Sequence, residues 1–188
     1  MRDRYAAELA DAVARGAGPA ERHGLGFHAK WARRTAEEIA AETAPTALEG
    51  PVQAVRIGDG VIVTAPGETF TEIGMAVKER APGRPTLFCG YTNGAIGYFP
   101  TPDAYPEGGY EPAYSNRSYG APAPVVPECA AQIVEAGVRL AESLFPEREP
   151  WRGDDWTASG TVPELEPVVV ERPPHGDYAP PTTQRPPG

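Results

Sequence analysis

The chain contains 188 residues, of which 40% are apolar, so it is long enough for one domain with a hydrophobic core and too short for two ordinary domains. Its formal net charge of −9 and its scattered arginines argue against nucleic acid as a partner, because binding phosphates needs concentrated positive charge. No stretch approaches the ~20 apolar residues of a membrane span, and the N-terminus lacks the apolar segment of a signal peptide. The sequence as written therefore predicts a cytoplasmic protein with no transmembrane segment.

The N-terminal part of the chain predicts two helices. Residues 3–15 carry an apolar side chain at every fourth position, which gives a short amphipathic helix one apolar stripe. A second helix is predicted over residues 20–43. Its apolar face consists of Phe27, Trp31, Thr35 and Ile39.

The next segment predicts a strand, a turn and a second strand. Residues 52–57 alternate in the manner of a strand, Gly58-Asp59-Gly60 is a tight-turn signal, and the apolar run Val61–Val63 follows. After Pro66-Gly67 the spacing of apolar residues becomes helical over about 68–80. Residues 86–91 are apolar almost throughout, which predicts a strand buried on both faces.

The remainder of the chain predicts loops, one helix and a tail. Residues 90–120 are rich in Gly, Tyr and Pro and are expected to form an ordered loop with a short strand near Ile96–Phe99. A helix is predicted over about 125–145, with Ile133, Gly137, Leu140 and Leu144 on its buried face. Residues 147–188 are expected to form a Pro-rich, largely disordered tail with one short strand at 166–170.

These elements together predict an α/β fold. We expect a mixed layered sheet that contains the strands near 52, 61, 87 and 96, with helices packed on it, in a domain formed by residues 1–146. If this domain is the incomplete half of a larger catalytic domain, apolar strand faces lack a cover, and the isolated chain should associate.

Several familiar catalytic motifs are absent from the sequence. It contains no Gly-x-Ser-x-Gly elbow, no phosphate-binding loop, no His-Glu-x-x-His and no Cys-x-x-Cys. His23 and His28 are five positions apart, which places them on different faces of a helix and argues against a zinc pair. Cys89 and Cys129 permit one disulfide, and two buried free thiols are the favoured interpretation.

Three further features receive ordinary interpretations. Asn116-Arg-Ser118 matches the glycosylation sequon, which is frequent by chance. Asp154 and Asp155 are interpreted as a solvated acidic pair in the Pro-rich segment, and His175 falls in the predicted tail.

Glu68 and Tyr98 are the remaining candidates for chemistry. A carboxylate such as Glu68 at a helix start is stabilised by the free N–H groups and the helix dipole, by ~0.3–1 kcal/mol, and this would explain it without any function. However, Glu68 also follows a predicted buried strand, which is where α/β folds place ligand-binding groups. For Tyr98 the alternative to a functional role is an ordinary packed aromatic side chain.

Two longer runs carry a family resemblance. The first extends from Gln53 through Pro66-Gly-Glu68 to Lys78, and the second from Gly90 through Tyr98-Phe-Pro-Thr101 to Glu111. Together they resemble the neutral/alkaline non-lysosomal ceramidase family. The similarity covers about residues 25–145 and corresponds to the C-terminal part of that family's catalytic domain.

The resemblance implies a zinc-dependent amidohydrolase that cleaves an N-acylsphingosine or a related lipid-like amide to an amine and a fatty acid. It implies that Glu68 and Tyr98 are ligands of Zn, that Tyr98 also has a catalytic role, and that Thr101 completes the tyrosine motif. The family's two histidine ligands belong to its N-terminal half, which has no counterpart in this sequence. Family members are often secreted or membrane-associated.

Three hypotheses follow from this departure. In the first, the chain is a fragment or a split half of a ceramidase-like hydrolase, which is inactive alone and completed by an N-terminal partner polypeptide. In the second, it is a non-catalytic binding or interaction module on the same scaffold. In the third, it is an intact amidase for another substrate, which would require stoichiometric zinc in the isolated chain.

Overall fold

The computed structural model describes residues 1–146 and the backbone of residues 166–171. The interpretations of Asp154, Asp155 and His175, and of most of the predicted tail, lie outside these residues.

The first two helices form a hairpin. They are α1 (Arg2–Ala14) and α2 (Pro19–Ala40), close to the predicted ranges, and the Gly18-Pro19 step begins the second one. A small apolar cluster of Tyr5, Trp31 and Ala32 joins them. The predicted apolar face of α2 is only partly buried, because Phe27 and Ile39 are each 41% exposed.

Six strands follow in chain order. They are β1 (Ala47–Ile57), β2 (Gly60–Thr64), β3 (Glu68–Thr69), β4 (Thr86–Cys89), β5 (Tyr98–Phe99) and β6 (Glu166–Glu171). Four of them form a sheet in the order β4-β2-β1-β6, in which only the β2–β4 pair is parallel. The predicted hairpin of β1 and β2 is confirmed, and so is the short strand in the 166–170 region.

The remaining helices connect and cover these strands. They are α3 (Thr71–Arg80), α4 (Ala104–Glu107), α5 (Tyr110–Ala113), α6 (Ser115–Ser118) and α7 (Cys129–Ser143). Helices α3 and α7 pack together and on one face of the sheet, where they enclose the main core with β1 and β2. Close packing of α7 needs Gly137, because a Cβ there would lie 2.7 Å from Val63 Cγ1. No helix in the described part of the chain is long and apolar enough to cross a bilayer.

The coarse prediction of an α/β fold is confirmed, since helices flank a small mixed sheet. The prediction that the strand near 96 joins the main sheet is wrong. Its residues Tyr98–Phe99 form β5, which pairs in parallel with β3 in a separate two-stranded sheet. The Pro66-Gly67 turn redirects the chain after β2, so that β3 leaves the plane of the main sheet and finds β5.

Strand β4 is not buried on both faces, contrary to the prediction. It has one sheet neighbour, and α3 covers one side only, where Phe88 lies against Gly74. On the other side Leu87 is 49% exposed. Cys89 is also exposed, so the expected pair of buried thiols is correct for Cys129 only, and both cysteines are free.

A carboxylate held by three tyrosines

Glu68 lies on strand β3, not at a helix N-terminus. The N-cap of α3 is Phe70, and the Glu68 N–H donates to the Gly97 carbonyl at 2.9 Å. In the parallel register of β3 and β5, Glu68 is directly opposite Tyr98. The helix-dipole explanation for this carboxylate is therefore wrong, because β-pairing, not the helix, fixes its backbone.

Gly67 makes this placement possible. Its φ of +132° is a conformation that L side chains rarely adopt. A Cβ at this position would lie 2.6 Å from both the Gly97 carbonyl oxygen and the Phe99 ring. The Pro-Gly step thus lets β3 approach β5 closely, immediately before the carboxylate.

Three tyrosine hydroxyls converge on the Glu68 carboxylate. Tyr119 donates to Oε1 and Tyr91 donates to Oε2. Tyr98 also hydrogen-bonds the carboxylate. We call these four residues the Glu68 cluster. Because the three donors come from three separate segments, the cluster ties the β5 strand, the loop after β4 and the end of α6 to one side chain.

The loop after β4 holds Tyr91 in an unusual backbone conformation. Tyr91 has a φ of +57°, and its N–H donates to the Gly67 carbonyl at 2.8 Å. Asn93, with a φ of +62°, donates from its side chain to that of Gln53 on β1. Non-glycine residues in this region cost free energy, and such outliers concentrate at functional sites. The loop is therefore anchored at both sides of Tyr91.

Hydrogen bonding keeps Glu68 ionised. Partial burial is the largest single influence and acts to raise its pKa, but the hydrogen bonds from Tyr119, Tyr91 and Tyr98 together outweigh it, so the pKa lies below the usual value. The carboxylate is therefore a negatively charged acceptor at neutral pH.

The same bonds keep the phenols protonated. The hydrogen bond to Glu68 and then burial raise the pKa of Tyr98 well above 10.0. Burial and then the bond to Glu68 do the same to the pKa of Tyr119. The bond to Glu68 also raises the pKa of Tyr91. The cluster at neutral pH is one carboxylate surrounded by three neutral O–H donors.

The other predicted site residues lie apart from this cluster. Thr101 is half-buried, and its carbonyl accepts the Ala104 N–H at 3.1 Å at the start of α4. Its side chain makes no hydrogen bond to the cluster within the described residues. His23 is exposed on α2, and the half-buried His28 stacks on Tyr5 with ring centroids 5.4 Å apart. Burial and the nearby Arg117 lower the pKa of His28.

Two other sequence features prove to be structural. Asn116 is 8% exposed, and its side-chain amide donates to the Ala121 carbonyl at 3.0 Å, so the sequon asparagine is packed inside the fold. Cys129 is buried at the start of α7, and burial raises the pKa of its thiol to about 12. A thiol with this pKa is a poor nucleophile at neutral pH.

The donor chemistry of the cluster suits part of a metal site. A carboxylate is an established zinc ligand, and a phenol oxygen beside it can complete or support the coordination shell. Catalytic zinc usually has three protein ligands. Among residues 1–146, no group of three or more His, Cys, Asp and Glu side chains is arranged to hold a metal. Glu68 and Tyr98 therefore fit two positions of a zinc site, and further ligands would have to join them.

The sequence did not single out Tyr91 and Tyr119 as site residues. Tyr91 could have been found, because it follows β4 just as Pro66-Gly67 follows β2, and the carboxyl ends of two parallel neighbours meet at one edge of a sheet. Tyr119 gave no comparable signal, since its approach to Glu68 depends on the path of α5 and α6.

Comparison with known proteins found no matching family model, no matching curated sequence and no matching solved structure. The fold and the site define a general class, namely an α/β chain with a carboxylate–phenol cluster beside one end of its main sheet.

Proposed function

We propose that this chain supplies the carboxylate and phenol ligands of a zinc-dependent amide hydrolase that resembles the ceramidases. The observation that carries the proposal is the pairing of Glu68 with Tyr98 in the β3–β5 register. The family resemblance selects these two residues from their motifs alone, and their adjacency is independent of that choice. The remaining ligands, which the resemblance expects to be histidines, would come from polypeptide outside these 188 residues.

The chain's own residues would have distinct tasks in such a site. The Glu68 carboxylate would bind the metal through its oxygens, and its low pKa keeps it available as a ligand at neutral pH. Tyr98 retains its proton, so it can donate a hydrogen bond to the oxygen that gains negative charge as the amide carbonyl is attacked. Tyr91 and Tyr119 would hold the carboxylate in one orientation. Bound zinc supplies Lewis acidity and lowers the pKa of a coordinated water.

The substrate class follows from the resemblance. An N-acylsphingosine or a related lipid-like amide would be cleaved to an amine and a fatty acid. A long acyl chain needs an apolar cleft, and part of that cleft would come from the same additional polypeptide as the remaining metal ligands.

The proposal is tested on the protein purified from its native cells together with any polypeptide that accompanies it. Zinc content is measured by elemental analysis, and hydrolysis is followed with a panel of N-acyl amines that includes ceramide. We expect zinc to be present together with amide hydrolysis, and both to be lost in Glu68→Gln. Tyr98→Phe should retain most of the zinc and lose most of the hydrolysis.

Two controls separate a site effect from a folding effect. Glu107→Gln changes an exposed carboxylate on α4, and Tyr114→Phe removes a hydroxyl that makes no hydrogen bond within residues 1–146. Both should leave zinc content and hydrolysis unchanged. A native preparation without zinc and without hydrolysis, whose properties are indifferent to Glu68→Gln, would overturn the proposal and support the non-catalytic binding module.

A further inference from the structure

A small cavity adjoins the Glu68 cluster on the side of α5 and α6. Tyr98 and Tyr119 form one wall, and Tyr105, Glu111, Ser115 and Asn116 contribute to the others. About 280 Å³ of empty space lies there, part of it open to solvent, and the portion that admits a water-sized group is about 10 Å³. The enclosed part therefore accommodates a single polar group of one or two heavy atoms and excludes a hydrocarbon chain.

All four hydroxyl groups of the cavity wall donate their protons elsewhere. Tyr98 and Tyr119 donate to Glu68, and the Tyr105 hydroxyl donates to the Val125 carbonyl at 3.0 Å. Ser115 Oγ donates to the backbone carbonyl of Glu111 at 2.6 Å. The hydroxyls are therefore committed as donors and offer a ligand only their lone pairs.

Two acceptors in the wall are unused. Asn116 is 8% exposed, its Nδ2 donates to the Ala121 carbonyl, and its Oδ1 has no hydrogen-bond partner. The half-buried Glu111 carboxylate has no hydrogen bond or ion pair within the described residues. A buried carbonyl oxygen without a donor costs free energy, which a ligand that supplies the donor would recover.

We infer that this cavity binds the amine side of the substrate, through an ammonium, amide N–H or hydroxyl group that donates to Asn116 Oδ1 and to the Glu111 carboxylate. The inference rests on the proposed amide hydrolase and deepens it, because it assigns the two sides of the amide. The acyl carbonyl faces Tyr98, whereas the nitrogen side and its polar substituents enter the cavity. A carboxylate, which has no donor, is repelled there by Glu111.

The inference is tested by NMR titration of the isotope-labelled chain with ethanolamine, which carries both an ammonium and a hydroxyl group. Glycerol and acetate are the comparison ligands. We expect saturable shifts at residues 111–121 with ethanolamine, weaker shifts with glycerol and none with acetate. In Glu111→Gln the Kd for ethanolamine should rise about tenfold, because a charge-assisted hydrogen bond is lost.

Glu107→Gln serves as the matched control and should leave this Kd unchanged. Asn116→Asp places a second carboxylate in the cavity and should tighten ethanolamine binding severalfold while acetate still fails to bind. Equal affinity in Glu111→Gln and the unmodified chain, or no saturable shift at all, would overturn the inference. Because the titration requires neither zinc nor hydrolysis, its outcome is independent of the metal test: loss of zinc function with retained ethanolamine binding would reject the hydrolase and keep the amine site.

Discussion

Glu68 and Tyr98 are thirty positions apart in the chain and lie directly opposite each other in the parallel β3–β5 pair. Two short strands, each of two residues, hold this pair, so its geometry depends on the surrounding contacts more than on the strands themselves. The following predictions test what those contacts do.

The ionisation of the tyrosines should depend on Glu68. Its hydrogen bond is the main cause of the raised pKa of Tyr98 and contributes to those of Tyr119 and Tyr91. In Glu68→Gln we expect these pKa values to move back toward 10.0, so that more tyrosines ionise at a given alkaline pH. Titration by tyrosinate ultraviolet absorbance measures this, and Glu107→Gln should leave the curve unchanged.

Acid should remove the stabilisation that Glu68 contributes. Because its pKa is lower in the folded protein than the usual 4.5, the ionised group favours folding above that pH, and this contribution disappears as the pH falls through the folded pKa. Chemical denaturation at several acidic pH values should show a smaller pH dependence in Glu68→Gln than in the unmodified protein. Identical slopes would mean that the hydrogen bonds to Glu68 do not favour its ionised form.

Alkaline pH should act in the opposite direction through the tyrosines. The folded pKa values of Tyr98 and Tyr119 are raised, so their contribution is complete below the unfolded pKa of about 10 and is lost as the pH rises toward the folded values. Thermal unfolding in alkaline buffers should show a steeper decline for the unmodified protein than for the double variant Tyr98→Phe, Tyr119→Phe. A decline that is no smaller in the double variant would contradict this account.

Removing one phenol should have a measurable cost. Tyr119→Phe deletes a hydrogen bond to a charged group, and we expect the free energy of unfolding to fall by about 1 kcal/mol. Tyr114→Phe is the matched control, since it removes a hydroxyl that makes no hydrogen bond in residues 1–146, and it should change stability by less than about 0.5 kcal/mol. Urea denaturation of both variants gives the comparison.

Gly67 should not tolerate a side chain. Gly67→Ala combines an unfavourable φ with a Cβ placed against Gly97 and Phe99, and we expect a loss of about 2 kcal/mol or more. Gly16 has a φ of +71° and open space around it, so Gly16→Ala should cost only about 1 kcal/mol. A denaturation series with both variants separates the backbone cost from the steric one, and equal losses would contradict the close approach of β3 to β5.

Much of the local structure was predictable from the sequence. Helices α1, α2, α3 and α7 and the β1–β2 hairpin follow from apolar periodicity and Gly or Pro signals, which act between near neighbours. The beginning of α3 was placed too early, because the helical spacing after Pro66-Gly67 does not reveal that Glu68 and Thr69 pair with a distant strand. Similarly, apolar content predicted a buried β4, whereas position at the sheet edge determines which faces are covered.

The sequence by itself determined the order of the elements and singled out Glu68 and Tyr98, since the two motifs that contain them are continuous in the chain. Only the tertiary structure decided that these residues face each other, that Tyr91 and Tyr119 join them and that an acceptor-lined cavity lies beside them. The physical reason is that strand register and loop conformation bring together groups from separate segments, and neither is set by the residues immediately around each group.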